Sequence, residues 1–140
     1  MILSCSFEEV SALSHGARSV LHERPVAPSA VAAPSATRGA VESLLAGLDG
    51  GFSIRTLVEQ RELEQGLRAI VERLREELDT CVLATHAANE EAVSAYFDFA
   101  HALSVLGRVM DLGEEMSALV ELMTGGPANE RSVREFVFPD

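Results

Sequence analysis

The strongest constraint on the fold is a series of apolar residues that recur every three or four positions in the middle of the chain. The series is Leu63, Leu67, Ile70, Leu74, Leu78 and Cys81, and charged residues fill much of the sequence between them. This spacing places the apolar side chains on one face of an α-helix. Burial of each Leu or Ile stabilises a fold by about 1.5–3 kcal/mol. The pattern therefore predicts a long amphipathic helix over residues 57 to about 85.

A second helical pattern follows in the sequence, and it supplies the helix that packs against the first one. Asn89 is a good N-cap residue, and Glu90 and Glu91 suit the positive end of a helix dipole. The apolar face comprises Ala92, Tyr96, Phe99, Ala100, Leu103, Leu106 and Met110. We expect a helix over residues 90–111 that returns antiparallel, a break or kink at residues 111–114, and a further helix that ends at Gly125-Gly126-Pro127.

Two more helices are predicted before this hairpin. The segment Ser6-Phe7-Glu8-Glu9 is a capping box that begins a helix over residues 7–22. A second helix starts at Ser35 or Thr37 and ends at residues 49–51. Three prolines mark the intervening residues 24–37 as a Pro/Ala-rich connector, because proline disfavours helix at its own and the preceding position.

Both ends of the chain have strand composition. Residues 1–5 and 135–138 could pair with each other or across a dimer, and we expect residues 128–140 to be an extended tail. The 140 residues predict a single domain. The expected fold is mainly α: a four- to five-helix bundle built on a long antiparallel helical hairpin, with room for short terminal β-strands.

Charge excludes two classes of partner. The formal charge is −11, and all 11 basic residues are arginines. Such a chain would repel nucleic acid and anionic membranes. Residues 81–140 hold ten acidic and three basic residues, which indicates either a protein partner with a basic surface or a solvated face that maintains solubility.

Localisation is predicted from what the sequence lacks. No apolar run approaches the roughly 20 residues of a membrane span, and the first residues lack the basic start of a signal peptide. The two cysteines do not make a disulfide framework. We therefore expect a cytoplasmic protein with free thiols, and the exclusive use of arginine favours a GC-rich bacterial source.

Catalysis is not indicated. The sequence has no G-x-S-x-G, no phosphate-binding loop motif and no lysine for Schiff-base chemistry. Cys81 lies on the apolar stripe of an acidic helix, where an inert buried thiol is expected. The sequence predicts no catalytic residue and no cofactor.

Four residues are weak candidates for metal ligands. Asp98 and His101 are three apart on one helix, and His86 and Glu90 are four apart. Asp98 and His101 are predicted to lie on the solvent side, and a turn is expected to separate His86 from Glu90. A solvated polar face is therefore preferred to a metal site.

Phe97 and Val105 are candidate interface residues, because both lie on the otherwise polar side of the helix over residues 90–111. They predict a second buried surface, formed with another helix of the chain or with a subunit partner. Tyr96 and Met110, placed on the core side, are candidates for a ligand pocket. The leading hypothesis is a non-catalytic, homodimeric interaction protein; the alternative is a bundle that binds a small molecule or metal.

Overall fold

The structure, a computed structural model, describes residues 1–22, 35–84, 90–127 and 129–139. Its elements in chain order are β1 (Ile2–Ser4), α1 (Phe7–Leu21), α2 (Ser35–Gly47), β2 (Gly51–Ser53), α3 (Leu57–Ala84), α4 (Glu90–Thr124) and α5 (Glu130–Glu135). The predicted mainly α fold on a helical hairpin is confirmed. Most of the predicted connector lies outside the described residues, and its last residues, 35–37, belong to α2.

The seam between α3 and α4 forms the core of the fold. Leu63, Leu67, Ile70 and Leu74 of α3 are buried, as their spacing predicted. The buried apolar residues of α4 also share one face of their helix, because most are separated by three, four or seven positions. They are Ala102, Val105, Leu106, Val109, Met116 and Val120.

The predicted apolar face of α4 was wrong by about a third of a turn. Tyr96, Leu103 and Met110 were expected in the core but are 56%, 46% and 37% exposed, whereas Val105 is fully buried. The reason is that α1 packs against the side of α4 that the sequence marked as polar, where Arg108 pairs with a residue of α1. The presence of a charged residue, Arg108, on this face of α4 therefore does not mean that the face is exposed to solvent.

The predicted break at residues 111–114 is also wrong, because α4 is continuous there. Gly113 is buried against the side chain of Gln60 on α3, and a Cβ at Gly113 would lie 2.3 Å from Gln60 Nε2. That nitrogen donates a hydrogen bond of 2.9 Å to the carbonyl oxygen of Val109. Gly113 therefore makes room for a buried amide between the two helices and does not end a helix.

We expect Gly113→Ala to lower the free energy of unfolding by about 1–3 kcal/mol, because the added methyl displaces Gln60 from its hydrogen bond. Urea denaturation measures the change. Gly39→Ala is the matched control, since a Cβ at this position in α2 meets no atom within 4 Å. An equal effect of both substitutions would contradict the role given to Gln60.

An ion pair fixes α1 on α4. Ser6 and Glu9 form the predicted capping box, and the Glu9 carboxylate also accepts a hydrogen bond from the Arg108 guanidinium. Arg108 donates a second bond, of 2.9 Å, to the carbonyl oxygen of Ser4. Burial raises the pKa of the Glu9 carboxyl, but the backbone N–H of Ser6 and the Arg108 guanidinium lower it more, so its pKa lies below the ordinary value.

This lowered pKa makes the contribution of Glu9 dependent on pH. It is fully present above the ordinary glutamate pKa of about 4.3 and is lost as the pH falls through the lower pKa of the folded state. We expect Glu9→Gln to cost about 1 kcal/mol at neutral pH and to reduce the loss of stability in acid. Urea titrations across this pH range measure both effects, and Glu8→Gln, at an exposed neighbour, should retain the wild-type profile.

The N-terminal strand is confirmed, but its partner differs from the prediction. β1 pairs antiparallel with β2, and Leu3 lies opposite Phe52. The residues 136–138 do not form the predicted C-terminal strand, and only the end of the tail is extended, because Asn129 and Ser132 form a capping box that begins α5. The residues after α5 still reach the sheet region, where Phe138 N donates to the carbonyl oxygen of Arg55 at 2.7 Å.

Candidate interaction surface

The end of the hairpin where α3 finishes and α4 begins carries a cluster of exposed apolar side chains. We call this cluster the distal patch; it consists of Leu78, Val82, Val93, Tyr96 and Phe97. The last four are each about half exposed. Together with Asp79 and Ala92 they line an open groove of about 620 Å³.

The distal patch lies open because α1 contacts the hairpin on a different side. His15 Nε2 lies 2.9 Å from Glu77 Oε2, and Ser19 donates to the same carboxylate. Arg73 Nε in turn donates to Ser19 at 2.9 Å. All the residues that line the groove belong to α3 and α4. Within the described residues, the groove is therefore formed by the two arms of the hairpin.

The aromatic rings of the distal patch contact one another. Tyr96 and Phe97 meet edge to face, with centroids 5.8 Å apart, and Phe97 stacks on His101 at 6.5 Å. Exposed contiguous apolar groups of this kind mark interaction sites on soluble proteins. Tyrosine and phenylalanine are also the side chains that are enriched at protein interfaces.

The structure separates the predicted interface and pocket residues. Phe97 is exposed in the distal patch, but Val105 is buried in the core of its own chain and is not accessible to a partner. Tyr96 lines the distal groove, whereas Met110 lies farther along α4, where its sulfur is 3.6 Å from Arg68 Nη2. Tyr96 and Met110 therefore do not line one common pocket.

The metal candidates are also separated. Asp98 and Glu90 line one depression of about 490 Å³ beside α1, whereas His101 contacts Phe97, and His86 lies outside the described residues. Within the described ranges, no group of three or more His, Cys, Asp or Glu side chains is placed to hold a metal ion. The depression is also lined by His15, Glu77, Cys81 and Glu91, and a basic partner for this acidic region stays a prediction.

The two cysteines form no disulfide with each other. Burial raises the pKa of the Cys5 thiol, the nearby Glu9 carboxylate raises it further, and the Arg108 guanidinium opposes both. A raised pKa keeps the thiol protonated, and the thiolate is the reactive form. The surroundings of Cys5 therefore favour an inert side chain.

Comparison with known proteins finds no family model that matches the chain, and no significant match among curated proteins or solved structures. Within the part of the chain that the structure describes, no helix is long and apolar enough to cross a membrane. The distal patch is the feature from which a function can be argued.

Two valines of α4 test the assignment of surface and core. Val105→Ala should lower the free energy of unfolding by about 2 kcal/mol, because it leaves a cavity in a packed core. Val93→Ala removes the same atoms from the exposed distal patch and should change the monomer's stability by less than about 0.5 kcal/mol. Urea denaturation of dilute samples compares the two, and a reversed order would contradict the structure of α4.

Proposed function

We propose that the protein is a non-catalytic interaction protein that forms a homodimer through the open side of the α3–α4 hairpin. The observation that carries the proposal is the distal patch, where Val82, Val93, Tyr96 and Phe97 remain about half exposed around a groove. Transfer of this apolar surface out of water favours association by roughly 25 cal/mol per Å² before the opposing entropy is counted.

Charge sets the conditions for this association. Each copy has a formal charge of −11, so two copies repel each other at long range. Salt screens that repulsion beyond a Debye length of about 8 Å at physiological ionic strength, and it leaves the apolar attraction in place. Dimerisation should therefore strengthen as salt is added, unlike an association that depends on opposite charges.

The proposed site of action rests on the sequence, whose two cysteines do not make the disulfide framework of a small secreted domain. We therefore place the proposed interaction in the cytoplasm. Its biochemical role would be that of an adaptor or structural component.

Light scattering of the wild-type protein at tens of micromolar should give about twice the chain mass of 15.0 kDa. Phe97→Asp should reduce this mass to that of a monomer, because it places a charge in the distal patch. Phe7→Asp is the matched control, since Phe7 is 84% exposed on α1, away from the patch. A monomeric wild type would refute the homodimer, and a dimeric Phe97→Asp variant would remove Phe97 from the interface.

A second candidate function is the binding of a small apolar molecule in the same groove. Its volume of about 620 Å³ is in the range of ligand sites, roughly 300–1,000 Å³, and Tyr96 would supply a polar group. Native mass spectrometry of freshly purified protein tests this candidate. A bound mass that disappears in a Val82→Asp variant would favour it over the homodimer.

A further inference from the structure

A second apolar seam runs along α4, beside the buried one. It consists of residues spaced alternately by three and four, which is the heptad spacing of a helix that packs against another helix. We call it the outer seam: Val93, Tyr96, Ala100, Leu103, Gly107 and Met110. Its four large members are each more than a third exposed, so none of the helices and strands that the structure describes covers them fully.

The outer seam lies in the least charged part of α4. Residues 92–110 include one acidic residue, Asp98, and one arginine, although the whole chain has 22 acidic and 11 basic residues. That arginine, Arg108, already pairs with Glu9. Depletion of charge is the compositional mark of an interface core. A second chain can therefore approach this stretch without burying an unpaired charge of the seam.

Gly107 is unexplained by the fold of the single chain. It is exposed in the middle of α4, and a Cβ at this position would meet no atom within 4 Å. A glycine inside a helix costs roughly 1 kcal/mol relative to alanine. A missing side chain allows close approach of another group to the helix backbone. The absence of a side chain at Gly107 is therefore explained if a bulky side chain of a second chain packs against the helix backbone there.

We propose that a second copy of the chain packs its α4 antiparallel on the outer seam, about a two-fold axis between residues 101 and 102. This inference rests on the proposed homodimer and specifies its geometry. The axis brings Tyr96 onto the partner's Gly107 and Leu103 onto the partner's Ala100. Val93 then meets the partner's Met110, and the two-fold axis repeats every pair.

This arrangement places large side chains against small ones along the seam. Both Tyr96 and Leu103 meet a residue with little or no side chain, as close helix packing requires. A parallel pairing would instead place Tyr96 on Tyr96 and Gly107 on Gly107, with a clash at one and a gap at the other. An isologous contact of this kind also closes as a dimer and does not propagate into a filament.

The proposed contact extends from the outer seam into the distal groove. Residues 93–110 span about 27 Å of helix. The partner's Met110 would enter at Val93, on the edge of the groove that Leu78 and Val82 also line. The flexible thioether is suited to filling an irregular apolar depression.

The test is a size exchange between positions 96 and 107. Gly107→Leu should raise the dimer dissociation constant at least about tenfold, because the new side chain meets the partner's Tyr96. It should leave the helix intact, since leucine is a better helix former and the position is open in the single chain. Circular dichroism checks the fold. Adding Tyr96→Ala to the same chain should restore the dimer, because the leucine introduced at position 107 then fills the space that the tyrosine ring vacates on the partner.

Each result of sedimentation velocity on these variants decides a different point. A dimer that tolerates Gly107→Leu, or that Tyr96→Ala fails to restore, overturns the antiparallel seam. The homodimer itself would still stand if Phe97→Asp dissociates the wild-type dimer. A monomeric wild type refutes the seam and the proposed function together.

Tyr96 provides an independent readout, because it is the only tyrosine and the chain has no tryptophan. Acrylamide quenching of its fluorescence should fall as the protein concentration passes the dimer dissociation constant. Quenching that does not change while the mass doubles would place the interface away from Tyr96 and overturn the seam.

Discussion

The buried contact between Gln60 and the backbone of α4 sets the alignment of the hairpin on which the other elements depend. The side-chain amide of Gln60 fits only where Gly113 leaves space and where the carbonyl oxygen of Val109 can accept a hydrogen bond from it. With that alignment fixed, the length of α1 and the side on which it packs determine what remains uncovered. α1 has 15 residues, about 22 Å, whereas α3 has 28, about 42 Å. α1 therefore covers only part of the hairpin, and the distal patch lies on a side that α1 does not contact.

The sequence predicted α3 well because only one of its faces is apolar. It failed on α4, whose apolar residues occupy two neighbouring faces; Val105 belongs to the buried one and Tyr96 to the exposed one. Spacing alone cannot show which face meets the chain's own core, since both have helical periodicity. The break predicted at Gly113 was wrong for a related reason. The sequence shows that residue 113 is small, but it does not show that the side chain of Gln60 on α3 occupies the space beside it.

The candidate surface was predicted in part. Phe97 was identified from its place among polar neighbours, and it is exposed. The groove was not predicted, because it depends on where α1 meets the hairpin, which is a tertiary contact between distant residues. In the tail, the expected extended chain was replaced by a helix over residues 130–135, which the capping box at Asn129 and Ser132 begins. Such caps stabilise a helix start by about 1 kcal/mol, enough to decide between marginal alternatives.

The position of α1 has a consequence for synthesis on the ribosome. Only residues 85–89 separate α3 from α4 in the sequence, whereas Glu9 and Arg108 are 99 positions apart. Contacts between distant residues are slower to form, because more of the chain must be closed into a loop. α1 therefore precedes its partners α3 and α4 on the ribosome, and its contacts with them can form only after both helices have been translated. Until then α2, which also contacts α1 and is translated before the hairpin, is the helix available to cover part of its apolar face.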